Sequence, residues 1–379
     1  MIPDFITGSS NGEADTVMVS HPPFYSRHRL YFILLINLTG RRQTGNGRFF
    51  MNCDSTHPLK YYLAPMEGLT TYVFRRAYHK YFGGIDKYFT PFIANRSLSS
   101  RERNELLPEH NVGMRLVPQI LTNRADEFLE IAGQAADYGY DTVNLNLGCP
   151  SGTVTAKKRG AGFLEFPEEL KIFLDTVYER CPIKVSIKTR IGVRDIGEWE
   201  QLLKLYAGYP MEELIVHPRL QMEFYTGRPH RDAFRRAKEQ LSVPLCYNGD
   251  IVSPESLASL LKELPSVDTV MIGRGVLQYP YLPGQLKSGA ASGSAENSLS
   301  TLRAFHGELL EGYREIMSGD LPTLHKMKDF WTFFSCGFES PERYLKKIRK
   351  AVKIADYQAA VNELFQACGY RPFTLAGRV

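Results

Sequence analysis

Short apolar runs alternate with amphipathic segments along most of the chain, beginning near residue 60. Eight of the runs have the length and the β-branched or aromatic content of buried strands. They cover residues 61–66, 87–93, 116–121, 142–147, 184–191, 213–219, 243–250 and 269–273. Segments with helical spacing of apolar residues, such as 125–138, 168–178 and 254–264, lie between them. Eight alternating units in about 215 residues favour a (β/α)8 TIM barrel over a doubly wound sheet, the competing arrangement.

The pattern changes on both sides of this region. Residues 284–298 are dominated by small residues and predict a flexible linker, whereas 299–379 show helical periodicity alone and predict an α-helical domain. The barrel domain is therefore expected at 59–283. Residues 1–58 are expected to be a disordered or non-native extension, with Met51 as the hypothetical native start. The apolar run 30–38 is too short to span a membrane.

Composition restricts the class of protein. With 43% apolar and 23% charged residues, the chain is globular rather than disordered. The six cysteines include no CxxC pair, which argues against structural zinc and is typical of the reducing cytoplasm. Basic and acidic residues balance over 51–299, and basic residues exceed acidic ones over 300–379. We expect no metal and no membrane partner; the oligomeric state is open, and a monomer is compatible with the sequence.

Polar residues collect at the carboxyl ends of the predicted strands, where barrels of this type place their active sites. In 142–147, apolar residues occupy one parity and Asn144 and Asn146 the other, so the amides are expected to face the barrel interior. Other strand ends add Gln119, Lys188, Arg190, His217, Arg219, Asn248 and Asp250. Buried polar side chains need partners, and a polar ligand would supply them.

Two glycine-containing segments suggest the kind of ligand. Asn248-Gly249-Asp250 follows the seventh predicted strand and Gly273-Arg274-Gly275 the eighth, where barrels commonly bind phosphate. Together with Lys188 and His217, they predict a phosphorylated planar cofactor. FMN fits better than a nicotinamide nucleotide because no GxGxxG follows the first strand.

Six motifs, in their order and spacing, resemble the tRNA-dihydrouridine synthases, and the bacterial members most. They are Ala64-Pro-Met-Glu-Gly68, Asn144-Leu-Asn-Leu-Gly-Cys-Pro-Ser151, Lys188-Thr-Arg190, His217-Pro-Arg219, Asn248-Gly-Asp250 and Gly273-Arg-Gly275. The resemblance covers about residues 60–370. It implies an enzyme that uses FMN and NADPH to reduce the C5–C6 double bond of particular uridines in tRNA.

The resemblance also implies residue roles. Hydride would pass from reduced flavin to C6 of the uracil, and Cys149 would protonate C5. Asn146, Arg190 and Arg219 match positions that hold the target uracil or lie beside it, and Lys188 would favour anionic reduced flavin. The predicted flavin site comprises Pro65, Met66, Gln119, Lys188, His217, Asn248, Gly249, Asp250, Gly273 and Arg274. Taken alone, Cys149 could be an inert packing residue and His217 a core histidine.

A base stacked inside folded tRNA must be extruded to reach a barrel, so such an enzyme also has to grip the RNA. Two basic stretches are candidates for phosphate contacts: Lys157, Lys158 and Arg159, and, in the helical domain, Arg343, Lys346, Lys347, Arg349, Lys350 and Lys353. The second stretch could also be only a solvated helix face.

Two other functions are compatible with parts of this pattern. An FMN barrel acting on a free pyrimidine, as dihydroorotate dehydrogenases do, would need no basic helical domain. A non-catalytic tRNA-binding module would need neither Cys149 nor a complete flavin site. The sequence does not indicate which uridine is modified, or whether NADPH is preferred to NADH.

Overall fold

The computed structural model of the chain describes residues 58–289 and 295–370. Residues 1–57 of the predicted extension, with Met51 and the apolar run 30–38, lie outside the described residues, as does the centre of the predicted linker.

In the described residues, nine short strands form a seven-stranded and a two-stranded sheet that together position the site. They are β1 (Lys60–Leu63), β2 (Tyr88–Phe89), β3 (Leu116–Val117), β4 (Gln119–Ile120), β5 (Thr142–Leu147), β6 (Lys184–Arg190), β7 (Leu214–His217), β8 (Leu245–Asn248) and β9 (Thr269–Ile272). The predicted run 116–121 appears as two strands, β3 and β4, because Pro118 between them has no N–H to continue the ladder.

The strands are parallel and their pairing runs in the order β1-β9-β8-β7-β6-β5-β4, with β2 paired to β3. Backbone hydrogen bonds close the ring between β1 and β2: the Leu63 N–H donates to the Lys87 carbonyl at 3.0 Å, and the Asp86 N–H donates to Tyr61 at 2.7 Å. The (β/α)8 barrel predicted from the sequence is therefore confirmed.

Helices connect the strands and build the C-terminal region. They are α1 (Tyr72–Tyr81), α2 (Ser100–Leu106), α3 (Ala125–Asp137), α4 (Gly152–Thr155), α5 (Pro167–Arg180), α6 (Glu198–Tyr206), α7 (Arg231–Gln240), α8 (Pro254–Glu263), α9 (Arg274–Gln278), α10 (Leu282–Ser288), α11 (Ala295–Ile316), α12 (Asp320–Phe334), α13 (Glu342–Lys350) and α14 (Ile354–Ala367). The helical C-terminal region is thus confirmed. Helices occupy both ends of the predicted linker 284–298, α10 at its start and α11 at its end. At the start, α10 begins with the buried Leu282 and Pro283, which hold it in the core.

Side-chain alternation separates an inner from an outer core, as the strand pattern predicts. Val143, Leu145 and Leu147 of β5 pack outward in the large core between sheet and helices. A small cluster of alternate residues fills the barrel interior: Tyr62, Ala64, Phe89, Val117, Ile215, Cys246 and Met271. The polar residues of β5 and β6 lie in this inner parity, so they point toward the barrel axis.

Aromatic contacts hold the helical region on the barrel. The ring of Phe74 in α1 lies 5.8 Å from that of Phe305 in α11 and 6.2 Å from that of Phe330 in α12. The hydroxyls of Thr71 and Tyr313 are 2.9 Å apart at the same interface. α12 is therefore anchored beside the first strand end. Among the described residues, none of the helices combines the length and apolarity needed to cross a membrane.

Candidate active site

A cavity of about 510 Å³ lies at the carboxyl ends of the strands. This volume is within the usual range for small-molecule and cofactor sites. The predicted site residues that line it are Pro65, Met66, Gln119, Asn146, Cys149, Lys188, Arg190, His217, Asn248, Gly249, Asp250, Gly273 and Arg274. The barrel therefore brings together predicted residues from seven separate strand ends or loops, because the strands are parallel and end on one face.

Asn146 fixes the position of the Cys149 loop. Its side-chain oxygen accepts hydrogen bonds from the backbone N–H groups of Gly148 and Cys149, both at 3.0 Å. Its side-chain nitrogen donates to the Gln119 side-chain oxygen at 2.8 Å. The amide of Asn146 thus supports the loop in addition to lining the cavity.

The hydrogen-bonded chain continues through the barrel interior. The Gln119 nitrogen donates to the Asn144 oxygen at 2.8 Å, and the Asn144 nitrogen donates to the Ser186 hydroxyl at 2.9 Å. Ser186 in turn donates to the Val143 carbonyl at 3.1 Å. These buried amides and the hydroxyl therefore satisfy one another, as buried polar groups must.

Cys149 is half-buried at the cavity wall. The loop returns to it through Gly160, whose φ is +57° and where a Cβ would come within 2.8 Å of the Cys149 carbonyl oxygen. The Ala161 N–H donates to that oxygen at 3.0 Å. Burial raises the pKa of the Cys149 thiol and outweighs the opposing effect of Lys188 and Arg190. The thiol is therefore protonated at neutral pH.

Lys188 on β6 presents a cation to the cavity. Burial, and then the neighbouring Arg190, lower the pKa of its ammonium group from 10.5 to about 8. Within the described residues, the Lys188 ammonium has no hydrogen-bond or ion-pair partner in the protein. A group with partial negative charge in the cavity would supply one.

Arg190 connects two loops at the cavity mouth. Its side chain is 1% exposed and donates to the carbonyls of Gly148 at 3.0 Å, Leu220 at 2.7 Å and Phe224 at 2.7 Å. Each guanidinium nitrogen thus holds a backbone carbonyl. Arg190 ties the Cys149 loop to the loop after β7 as well as lining the cavity.

Arg219, which was expected to hold the target uracil or to lie beside it, is not among the residues that line the cavity. Its buried guanidinium donates to the carbonyls of Thr226 at 3.2 Å and Gly227 at 2.6 Å, to the Asp250 carboxylate, and to Nε2 of His217 at 3.1 Å. A guanidinium only donates, so His217 accepts at Nε2 and carries its proton on Nδ1. Burial, reinforced by the surrounding cations, holds the pKa of His217 well below its usual value, so the ring is neutral.

Asp250 joins the two glycine loops. Its carboxylate accepts from Arg219 and, at 2.7 Å, from Arg274. The loops also meet directly, since a Cβ on Gly275 would lie 2.3 Å from the Ile251 carbonyl oxygen. Glycine is required at position 275 because the backbones of the two loops approach each other so closely. The loops therefore present Arg274 and adjacent backbone on one continuous wall.

A model of the dihydrouridine synthase family matches residues 62–367. The chain belongs to the dihydrouridine synthase family. It is 31% identical to tRNA-dihydrouridine synthase B of Pasteurella multocida over 58% of this chain and 67% of that protein. It is 28% identical to a probable tRNA-dihydrouridine synthase of Rhizobium leguminosarum over 68% of this chain and 80% of that protein. The solved structure of morphinone reductase in complex with tetrahydroNAD aligns with a TM-score of 0.43 and 13% identity over 63% of this chain and 89% of that one, a likeness too weak to bear on function.

Several side chains of this dihydrouridine synthase family member line the cavity although the sequence pattern did not single them out: Glu67, Phe92, Tyr225, Val252 and Phe333. Tyr225 belongs to the loop after β7. Two adjacent aromatic residues, Phe224 and Tyr225, in an otherwise polar segment could have indicated a binding role for this loop from the sequence. Phe333 comes from α12, and no sequence signal locates that helix beside the barrel mouth. The helical region therefore contributes to the cavity wall.

The basic stretches differ in how far their charges are paired. Lys158 forms an ion pair with Glu169 at 3.3 Å, and Arg159 forms one with Glu127 at 3.1 Å. Lys157 is exposed.

In the helical region, the basic side chains of α13 and of the residues after it are exposed: Arg343, Lys346, Lys347, Arg349, Lys350 and Lys353. Lys347 is paired with Glu363. No group of three His, Cys, Asp or Glu side chains in the described ranges could hold a metal ion.

Proposed function

We propose that this chain reduces the C5–C6 double bond of specific uridines in tRNA to 5,6-dihydrouridine, with FMN as its cofactor and NADPH as the reductant. The observation that carries the proposal is the placement of two groups on one cavity of about 510 Å³: a protonated, half-buried Cys149 thiol and a Lys188 ammonium without a partner among the described residues. Family membership and the names of the relatives support the choice of substrate.

The cavity suits FMN in its chemistry. Lys188 offers a cation to the polar edge of a ring system, and the Arg274 guanidinium beside Gly273 and Gly249 offers positive charge and open backbone for a phosphate. Pro65, Met66 and Met271 add apolar surface for a planar ring. When bound and reduced, FMN supplies a hydride to C6 of the base.

Cys149 supplies the proton in this proposal. Its S–H bond breaks as a C–H bond forms at C5, which balances the hydride at C6 and leaves a thiolate. The raised pKa of Cys149 keeps the thiol loaded at neutral pH, and its partial exposure allows solvent to return the proton. Lys188 and Arg190 lie close enough to affect the thiol and would stabilise the thiolate.

Chain elements outside the barrel would hold the RNA while the base is extruded. The exposed lysines and arginines of α13 are suited to phosphate contacts, which give affinity without sequence preference. Lys157 is a second candidate, whereas the charges of Lys158 and Arg159 are already paired with glutamates.

The proposal is tested by incubating the protein with FMN, NADPH and unmodified tRNA, and by mapping dihydrouridine along the product. We expect conversion at a small number of positions, with flavin absorbance in the purified protein. Absence of dihydrouridine at every position would contradict the proposal. Turnover of a free pyrimidine but not of tRNA would favour the small-molecule alternative, and failure to bind FMN would favour a non-catalytic module.

A further inference from the structure

The loop after β7 exposes an unusual amount of apolar surface beside the cavity. We call residues 220–228 the aromatic loop. Met222 is 61% exposed, and Phe224 and Tyr225 are each 49% exposed. Of the ten large apolar side chains that are most exposed in the described ranges, three therefore fall within four consecutive residues. Exposed apolar patches of this kind commonly mark a binding surface.

Two buried guanidinium groups hold this loop in place. Arg190 donates to the carbonyls of Leu220 and Phe224, both at 2.7 Å, and Arg219 donates to those of Thr226 and Gly227. The loop backbone is thereby fixed although its side chains are exposed. A surface fixed before binding loses little conformational entropy when a ligand arrives.

Phe224 occupies a backbone conformation that is costly for its residue type. Its φ is +50°, a region that glycine adopts easily and that a bulky residue rarely adopts. The side chain gains only partial burial in return, since about half of it stays exposed. Folding alone therefore gives little reason for a phenylalanine at this position.

The neighbours of Phe224 indicate what the surface binds. Tyr225, the next residue, lines the cavity and lies with its ring centroid 5.5 Å from the Arg190 guanidinium and 5.1 Å from that of Arg274. Arg228 is exposed and has no ion-pair partner within the described part of the chain. Exposed aromatic rings next to a free cation are the combination that binds single-stranded nucleic acid, by base stacking and phosphate attraction.

We propose that Phe224 and Met222 form a docking surface for the nucleotides that flank the target uridine of the tRNA, with the Phe224 ring stacked on a flanking base. This inference rests on the proposed function. When the target base enters the cavity past Tyr225, its neighbours stay outside, next to the exposed side chains of Phe224 and Met222. Phe224 acts in RNA binding and takes no part in proton or hydride transfer.

The test uses the FMN-loaded enzyme and unmodified tRNA at one fixed salt concentration. Phe224→Ala is expected to raise the Kd for tRNA by about 5- to 150-fold, the range that follows from losing one base–aromatic stack. Phe224→Tyr keeps an aromatic face and is expected to bind within about twofold of the wild type, whereas Phe224→Leu is expected to resemble Phe224→Ala. Flavin content and the rate of flavin reduction by NADPH should stay unchanged in all of them.

Phe224→Gly separates binding from folding. Glycine relieves the unfavourable φ, so this variant should have a Tm equal to or above that of the wild type and still bind tRNA as weakly as Phe224→Ala. Ile172→Ala is the matched control, since Ile172 is 68% exposed on α5, outside the cavity; it should bind normally.

Several results would overturn the inference. One is an affinity of Phe224→Ala for tRNA equal to that of the wild type, and another is a loss of affinity in Phe224→Tyr as large as in Phe224→Ala. A third is a change of oligomeric state in Phe224→Ala, which would make the loop a protein interface. A wild-type enzyme that forms no dihydrouridine would instead defeat the proposed function.

Discussion

Replacing Lys188 by methionine should make the flavin-free protein more stable. The lysine lies on β6, beside Arg190, and faces the cavity without a partner among the described residues. Burial lowers the pKa of Lys188 from 10.5 to about 8, which means that the folded protein disfavours the charged form. Methionine keeps a long unbranched side chain and removes the charge. The active site thus carries a cation at the expense of stability, for the benefit of its ligand.

The pKa difference sets the size and the pH dependence of the effect. A change from 10.5 to about 8 corresponds to roughly 3 kcal/mol at pH 7, at 1.36 kcal/mol per pKa unit. The folded state binds the lysine proton less tightly than the unfolded state, so the loss of folding stability caused by the charge is complete below pH 8. It falls to roughly 2 kcal/mol at pH 9 and disappears above pH 10.5, where the lysine is neutral in both states.

Urea unfolding of the flavin-free wild type and Lys188→Met at pH 7 and pH 9 measures this difference. Lys204→Met on α6 is the control, since Lys204 is exposed and its loss should leave stability nearly unchanged at both pH values. Added FMN should stabilise the wild type more than Lys188→Met, because the cation then gains its partner. A Lys188→Met protein no more stable than the wild type at pH 7, or a gap that does not narrow at pH 9, would refute the reasoning.

Three further tests use variants at other positions. Cys149→Ala should keep its flavin and its reduction by NADPH but lose about 10²- to 10⁴-fold in tRNA turnover, as measured by single-turnover kinetics; full turnover would remove Cys149 from the acid role. Gly160→Ala should lower both stability and turnover, because its Cβ would lie 2.8 Å from the Cys149 carbonyl oxygen. The control is Gly133→Ala on α3, where a Cβ meets open space; thermal unfolding should show that its free energy of unfolding rises by about 0.5–1 kcal/mol. The double variant Lys346→Met, Lys350→Met should weaken tRNA binding and reduce the slope of log Kd against the logarithm of the salt concentration by about 2. An unchanged slope would show that these two lysines of α13 do not contact phosphate.

The sequence predicted the barrel and the inner face of its strands well, because both depend on local periodicity. Alternation along β5 places Asn144 and Asn146 inward, as the structure has them, and the same rule places Lys188 in the cavity wall. These positions need only the strand assignment and the period of two.

The sequence could not predict features that depend on distant partners. Arg219 follows Pro218 beyond the end of β7, where strand alternation no longer applies, and its partners are loop carbonyls and Asp250, 31 residues away. Phe333 reaches the cavity only because α12 docks beside α1 through aromatic packing, and such docking leaves no periodic signal. Composition likewise does not reveal that α10, which includes the first residues of the predicted linker, has buried positions at its start.

The direction of the buried amide chain determines what the cavity offers to a ligand. The two backbone N–H groups of Gly148 and Cys149 require the Asn146 oxygen to face them, so its nitrogen must face Gln119. This fixes the Gln119 amide in turn, with its nitrogen toward Asn144.

The side-chain nitrogens of Asn146 and Gln119 each carry a second hydrogen that no group in the described residues accepts, whereas the Asn146 oxygen already accepts two hydrogen bonds. The groups left for a ligand are therefore mainly donors, and the Lys188 ammonium and the Nδ1–H of neutral His217 add two more. A donor-rich wall complements ring systems edged with carbonyl oxygens, which the flavin and uracil rings share. In the proposed reaction, one amide orientation, set by the backbone of the Cys149 loop, would thus make the same cavity suitable for both rings and would couple their binding to the position of the thiol.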